Sequence, residues 1–196
     1  MTTISDEQDA VDMARLAQGH DAALGELMAR HGEALLHYLI RQTQSEAEAS
    51  DLAQEAFVRV YQNRAKFDSR QKFSTWLYAI ATNLSRDRLR WRSRHPQVSI
   101  EAEDERSGTS LQDHLADAGP TPEQNLQSAE RAAVVQKAIR ALPEELRTPL
   151  ILAEFEERSQ AEIAVILNCS PKAVEMRLYR ARNQLREDLA AALQTI

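Results

Sequence analysis

Apolar residues in the first half of the chain recur every three or four positions, a spacing that predicts amphipathic helices. The first such segment, residues 22–42, has these apolar positions: Leu24, Leu27, Met28, Leu35, Leu36, Tyr38 and Leu39. Ser45 followed by Glu48 predicts a capping box that opens a second helix. A polar loop over residues 63–72 precedes a third helix, which begins near Phe73. Three helices of this kind predict a compact bundle.

Helical spacing returns in the last third of the sequence. Thr121 followed by Pro122 predicts the N-cap and the first residue of a helix, which Pro143 interrupts. Apolar residues over 146–155 again recur at helical spacing and predict a further helix. These segments predict a second helical unit, separate from the first.

The sharpest pattern is a pair of helices near the C-terminus. Ser159 and Glu162 predict a capping box at the start of a short helix over 160–167, and a tight turn leads to a basic helix over 171–185. This arrangement is typical of a helix-turn-helix, whose second helix reads the major groove of DNA. The apolar residues of that second helix should face the core: Val174, Leu178, Ala181 and Leu185. Its outward face then carries Lys172, Glu175, Met176, Arg177, Tyr179, Arg180 and Arg182.

A stretch without helical periodicity separates the two halves. Residues 97–125 contain Gly-Pro and Ser-Gly pairs and a run of acidic side chains, which cannot bury enough apolar surface to offset chain entropy. We therefore predict an all-α protein of two small helical domains, residues 1–96 and 126–196, joined by a flexible acidic linker over 97–125.

Composition supports this prediction. The 196 residues include 5 Gly and 6 Pro, and aromatics make up 5%, which disfavours a sheet-rich fold. Cys169 is the single cysteine, so neither an intrachain disulfide nor a cysteine-based zinc site can form. Residues 1–12 are acidic and do not resemble a signal peptide, and no apolar run is long enough to span a bilayer. These features predict a soluble, cytoplasmic protein with no membrane insertion.

Charge is segregated along the chain. The net charge is −6, yet residues 64–95 contain nine Lys/Arg and two Asp/Glu. Arg86, Arg90 and Arg94 form a stripe at helical spacing, with Trp91 among them. Cations track a phosphate backbone, and exposed aromatic rings can stack on unpaired bases. Trp76 fits the apolar stripe and is predicted to lie in the core, whereas Phe67 in the preceding loop and Trp91 could serve either role.

Three motifs carry a resemblance to the extracytoplasmic-function (ECF) sigma factors, the smallest members of the sigma-70 family of bacterial transcription initiation factors. The segment 51–57, Asp-Leu-Ala-Gln-Glu-Ala-Phe, resembles the signature of region 2.2. The segment 73–83, beginning Phe-Ser-Thr-Trp, is similar to region 2.3. Residues 141–143 and the helix-turn-helix resemble region 4. The order of these motifs covers nearly the whole chain apart from the N-terminal tail and the linker.

The resemblance implies a set of partners and site residues. Core RNA polymerase would bind at Asp51, Gln54 and Glu55. The single-stranded −10 promoter element would be captured by Phe67, Arg70, Lys72, Asn83, Arg86, Arg90, Trp91 and Arg94. The outward face of the helix-turn-helix would read the −35 element as duplex DNA. The linker would thread into the polymerase channel, and an anti-sigma factor would hold the protein inactive. Polymerase would be required for strand separation.

Two other classes of function compete with this interpretation. One is a stand-alone helix-turn-helix regulator whose N-terminal domain senses a ligand or dimerises. The other is an enzyme, but the sequence lacks both a glycine-rich phosphate loop and the spacing of a His-Glu-x-x-His metal site. The histidines are scattered, and His31 and His37 are expected on helix surfaces. We therefore predict no catalytic residues, no metal and no cofactor.

Overall fold

The computed structural model describes residues 4–95 and 122–193, and within those ranges the chain is helical without strands. The first part contains α1 (Ile4–Ala17), α2 (Ala22–Thr43), α3 (Glu46–Gln62), a 3₁₀ turn (Arg64–Lys66) and α4 (Phe73–Arg94). The second contains α5 (Pro122–Ala141), α6 (Glu144–Glu154), α7 (Gln160–Ile166) and α8 (Pro171–Leu193). The all-α prediction is confirmed. The predicted linker lies outside the described residues as far as position 121, and its last four positions begin α5.

The bundle expected in the first domain is present, with α2, α3 and α4 packed around a common core. Its fully buried side chains include Leu27, Leu35, Tyr38, Phe73, Leu77 and Tyr78. The Ser45 hydroxyl caps α3 by accepting a 3.3 Å hydrogen bond from the backbone N–H of Glu48. The Glu48 side chain does not return that bond as a capping box would, because it pairs with Arg92 of α4 at 3.0 Å.

Helix α1 is the element that the sequence pattern did not predict. It packs against α2 and α4 through Met13 and Leu16, both buried. Two more of its inward positions are the fully buried carboxylates Asp9 and Asp12, so its apolar stripe is interrupted by charge. These carboxylates pair with α2, and His31 lies within this cluster rather than on the helix surface that its position suggested.

The second domain builds the expected helix-turn-helix on α7 and α8. Ser159 and Glu162 complete the predicted capping box, with the Ser159 backbone N–H donating to Glu162 at 2.9 Å. The Ser170 hydroxyl accepts from the backbone N–H of Ala173 at 3.2 Å and so caps the start of α8. Helix α8 continues beyond the predicted end at 185 to Leu193.

The two domains pack directly on each other. Helix α4 of the first domain lies against α7 of the second, and α2 lies against α6. In the described parts of the chain, no helix combines the length and the apolar character needed to cross a bilayer.

Candidate functional site

The loop between α3 and α4 carries Phe67, one of the residues expected to contact the −10 element. Its ring is half-buried, with its centroid 5.2 Å from that of Trp76 and 6.2 Å from that of Phe73. Trp76 packs against the core as predicted. Phe67 therefore packs in an aromatic cluster at the base of the loop.

Two cations of this loop, Arg70 and Lys72, were also expected to contact the −10 element, and their surroundings differ. The Arg70 side chain is 89% exposed and lies 2.6 Å from Asp68, whose pKa its hydrogen bonds lower to about 2. The Lys72 ammonium is 3.2 Å from a carboxylate oxygen of Glu162 in α7 and 3.4 Å from one of Asp6 in α1. The hydrogen bond to Glu162 raises the pKa of Lys72, so this lysine remains charged. Lys72 is thus an ion-paired residue at the boundary between the domains.

The second half of α4 presents a continuous exposed face. It carries four of the residues expected to contact the −10 element: Asn83, Arg90, Trp91 and Arg94. The Trp91 side chain is 44% exposed, and its ring stacks on His95 with centroids 4.9 Å apart. Arg86 lies on the same helix but is half-buried, with Nε 2.8 Å from Glu144 of α6. Cations and a flat aromatic ring therefore lie side by side, as binding to a single strand requires.

The residues expected to bind polymerase are exposed on α3. Asp51, Gln54 and Glu55 occupy one side of that helix, and Glu55 pairs with Arg59 at 3.0 Å. Between α3 and α4 runs a groove of about 520 Å³, lined by Asp51, Leu52, Glu55, Leu84, Asp87, Arg88 and Trp91. This groove brings the acidic face of α3 next to the exposed face of α4.

Helix α8 turns its apolar residues inward as predicted. Val174, Leu178 and Ala181 are buried, and Leu185 packs against the core. The outward set is exposed, with Arg177 only half-buried: Lys172, Glu175, Met176, Arg177, Tyr179, Arg180 and Arg182.

Several of these outward side chains are positioned by neighbours. Lys172 pairs with Glu175 at 3.0 Å, and Arg182 pairs with Glu154 of α6 at 2.7 Å. Tyr179 is 62% exposed, and Arg180 is also exposed. The surface of α8 therefore combines basic groups with an aromatic ring.

Sequence reasoning missed the acidic partners of the cations. Glu144 and Glu162 are the first and third residues of their helices, and only the packing of the domains places them against Arg86 and Lys72. Their positions at helix starts explain why they looked like ordinary N-terminal acids, which favour the positive end of the helix dipole. Among the described residues, no group of three or more His, Cys, Asp or Glu could hold a metal ion.

Known families match both domains. Residues 27–95 match the family described as Sigma-70 region 2, and residues 132–185 match Sigma-70, region 4. These matches define a sigma factor of the sigma-70 type.

Relatives and solved structures narrow the assignment. The ECF RNA polymerase sigma factor SigW of Bacillus subtilis is 35% identical over 89% of this chain and 93% of its own. The RNA polymerase sigma-H factor of Pseudomonas aeruginosa is 34% identical over 97% of this chain and 98% of its own. The chain belongs to the extracytoplasmic-function sigma factors of the sigma-70 family.

Two solved structures share the fold over most of the chain. CnrH in complex with the cytosolic domain of CnrY has a TM-score of 0.67 at 28% identity, covering 94% of this chain and 98% of that one. The sigma factor RpoE in complex with the anti-sigma factor NepR from Bartonella quintana has a TM-score of 0.63 at 25% identity, covering 85% and 96%. The first and second domains are accordingly named the region 2 and region 4 domains below.

Proposed function

We propose that this protein is a transcription initiation factor that binds core RNA polymerase and directs it to promoters. The region 2 domain would read the −10 element as a single strand, and the region 4 domain would read the −35 element as duplex. The observation that carries this proposal is the presence, in one chain, of a basic and aromatic face on α4 and an exposed basic helix in a helix-turn-helix.

The exposed surface of α8 supports a role in reading duplex DNA. Recognition helices of this motif enter the major groove, where arginine can pair with both acceptors of a guanine edge. Arg180 is exposed on this surface and follows the exposed Tyr179 in the sequence, whereas Arg177 is half-buried. Lys172 and Arg182 would contact phosphates on either side and set the register of the helix.

The face formed by Asn83, Arg90, Trp91 and Arg94 supports binding of an unpaired strand. Stacking a base on an aromatic side chain is worth about 1–3 kcal/mol, and Trp91 is the exposed ring on this face. Separating a duplex costs about 1.4 kcal/mol per base-pair step, so stacking on this one ring offsets the opening of only about one or two steps. This difference supports the requirement for polymerase in strand separation.

The acidic face of α3 supports docking on a larger protein. Asp51 and Glu55 line the groove between α3 and α4, where their charge suits a basic or polar partner. The proposed contact with polymerase therefore lies beside the proposed contact with the −10 strand. A polymerase held there would be next to the DNA that must be opened.

We further propose an anti-sigma factor as a regulatory partner and the cytoplasm as the site of action. Two structural relatives that cover most of the chain are described in complexes, one with the anti-sigma factor NepR and one with the cytosolic domain of CnrY. The function proposed here is binding and positioning, and it assigns no catalytic step to the chain.

Run-off transcription with purified core polymerase tests this function. We expect start sites that depend on the added protein, identified by sequencing the transcripts. The variant Asp51→Ala/Glu55→Ala should lose co-purification with polymerase, whereas Glu26→Ala, an exposed change on α2, should retain it. A stand-alone regulator would instead bind duplex tightly without polymerase and direct no start site, and that result would overturn the proposal.

A further inference from the structure

A series of side-chain contacts connects α1 to the loop between α3 and α4. It begins at Asp9 of α1, whose two carboxylate oxygens lie 2.9 and 2.8 Å from Nε2 of His31 in α2. The His31 ring packs on Phe73, with the two ring centroids 5.2 Å apart. Phe73 is the first residue of α4, and its centroid is 6.2 Å from that of Phe67 in the loop. Three helices and the loop are therefore connected through four neighbouring side chains.

The part of this loop that follows Phe67 depends on its surroundings for its position. It is neither helix nor strand, and the backbone N–H of Arg70 donates to the Asp68 side chain at 3.0 Å. That bond closes a local turn, but it does not join the turn to the helices. The half-buried ring of Phe67 does so through its contacts with Phe73 and Trp76. The position of the Phe73 ring therefore affects where the loop lies.

His31 is placed to fix the Phe73 ring. Phe73 is 1% exposed, so its orientation is set by the side chains packed around it. An imidazole ring can turn about its outer bond, because this torsion has broad minima. The hydrogen bond from Nε2 to Asp9 is directional and holds the His31 ring in one orientation. The surface that His31 presents to Phe73 is therefore fixed from α1.

The use of a buried charge for this contact supports an orienting role. Asp9 is fully buried, and its carboxylate is paired with Arg30 as well as with His31. Apolar side chains of similar size often hold two helices together as well as a buried ion pair does. They cannot orient an imidazole ring, because that requires a hydrogen-bond acceptor. Asp12 has a different part in the cluster, since it pairs with Arg30 at 2.8 Å and with Arg15 at 3.3 Å.

We propose that His31 is a positioning residue for reading the −10 element. Held by Asp9, its ring sets the orientation of Phe73 and through it the position of Phe67 and the loop. This inference rests on the proposed function for the contact between the loop and the −10 strand. A loop that is held in its binding shape before DNA arrives loses less freedom on binding, so it binds more tightly and more selectively.

The test separates the ring of His31 from its hydrogen bond. His31→Gln keeps a side-chain N–H that can donate to Asp9, so the buried charge stays compensated, but it removes the ring from Phe73. Asp12→Asn is the matched control, because it weakens the attachment of α1 and leaves the His31 ring in place. Both variants are made in the full chain, and urea denaturation gives the free energy of unfolding of each.

Hydrogen–deuterium exchange of the free protein tests the loop without DNA or polymerase. We expect the loop amides of His31→Gln to exchange severalfold faster than those of the wild type, because the loop opens locally more often. The loop amides of Asp12→Asn should exchange at the wild-type rate, even though this variant has a lower free energy of unfolding. Equal exchange rates for the loops of the two variants would overturn the proposal.

Reconstituted polymerase tests the effect on DNA. Its affinity is measured for single-stranded oligonucleotides that carry a −10 sequence found by run-off transcription and for single-base substitutions of that sequence. Phe67→Ala identifies the base positions whose discrimination depends on the loop. We expect His31→Gln to bind the unsubstituted sequence about tenfold more weakly, within the range for losing one base contact. Its discrimination should fall at the positions that Phe67→Ala affects, whereas Asp12→Asn should discriminate as the wild type does.

A double variant distinguishes positioning from general destabilisation. His31→Gln/Phe67→Ala should bind no more weakly than Phe67→Ala alone, because both changes act through the same ring. Additive losses would overturn the proposal, and so would a loss in His31→Gln that is equal for every sequence. If Phe67→Ala alters discrimination at no position, the loop does not read the strand and the role of His31 falls with it.

Failure of the proposed function gives a different pattern. In that case polymerase with the wild-type protein would prefer no −10 sequence, while the difference in loop exchange between His31→Gln and Asp12→Asn would persist. A wild-type preference that His31→Gln retains in full would instead leave the proposed function intact and overturn the role of His31.

Discussion

The phenolic hydroxyl of Tyr78 in α4 donates a 2.6 Å hydrogen bond to the carboxylate of Glu156, which follows α6 in the other domain. Burial raises the pKa of Glu156 above its usual value, and this hydrogen bond and the positive charges of Arg41 and Arg158 offset that effect only in part. A proton is therefore held more tightly by this carboxyl in the folded protein than in the unfolded chain.

Glu156→Gln should change how stability depends on pH. Because the folded pKa lies above the unfolded one, the contribution of Glu156 is fully present below its ordinary pKa and is lost as the pH rises through the folded pKa. The free energy of unfolding of the wild type should therefore fall relative to Glu156→Gln as the pH rises above the ordinary glutamate pKa of 4.5. Urea denaturation across this range measures the difference. Glu157→Gln, an exposed neighbouring change, should follow the wild type, whereas parallel profiles for wild type and Glu156→Gln would contradict the prediction.

The buried cluster that fastens α1 to α2 gives a second prediction. Asp9 accepts from both Arg30 and His31, the latter at 2.8 Å, and it is fully buried. Asp9→Asn removes the negative charge of the carboxylate that Arg30 and His31 both contact. Because breaking a buried ion pair costs about 3 kcal/mol or more, the free energy of unfolding should fall by about that amount. Denaturant unfolding of the full chain measures this loss. Asp21→Asn is the control, because Asp21 is exposed and makes no side-chain cap bond at the start of α2. An equal effect of both changes would show that the cluster does not hold α1.

The same cluster shows where the sequence pattern stopped being informative. Helices α2 to α8 were predictable because their buried positions are mainly apolar and recur at helical spacing. Helix α1 was not predictable from this pattern. Asp9 and Asp12 occupy buried positions, whereas a charged residue in a sequence normally indicates an exposed position. Pairing between distant charges depends on packing, which periodicity does not encode.

The candidate site, too, could be predicted from the sequence only in part. The outward face of α8 followed from the buried positions Val174, Leu178 and Ala181, because a helix leaves only one side for contact. The surroundings of Lys72 and Arg86 depend on where the region 4 domain sits, and no local pattern reports that. The DNA roles of Lys72 and Arg86 stay predictions, and the two variants that follow test the predicted DNA roles of Arg180 and Arg90.

Arg180→Ala should reduce discrimination at the −35 element. Arg180 is exposed on the predicted reading surface of α8, and a bidentate arginine–guanine pair is worth about 1–3 kcal/mol of discrimination against the wrong base. Transcription by reconstituted polymerase from a set of promoters with single −35 substitutions measures this. Arg186→Ala lies further along the same helix, where Arg186 pairs with Asn183 at 2.9 Å, and should keep the wild-type ranking. If Arg180→Ala also keeps that ranking, the residue does not read a base.

Arg90→Ala should weaken binding of the −10 strand in a salt-dependent way. The Arg90 side chain is 64% exposed, and its pairing with Asp87 at 3.7 Å is loose enough to yield to a phosphate. Removing one phosphate contact lowers the magnitude of the slope of log K against log salt by about 1. The slope can be measured for open-complex formation by the reconstituted polymerase over a series of salt concentrations. Arg140→Ala, an exposed change on α5 outside the predicted DNA surfaces, provides the control for the loss of one positive charge. A slope for Arg90→Ala that equals that of the wild type would place Arg90 away from the DNA backbone, whatever its effect on the rate.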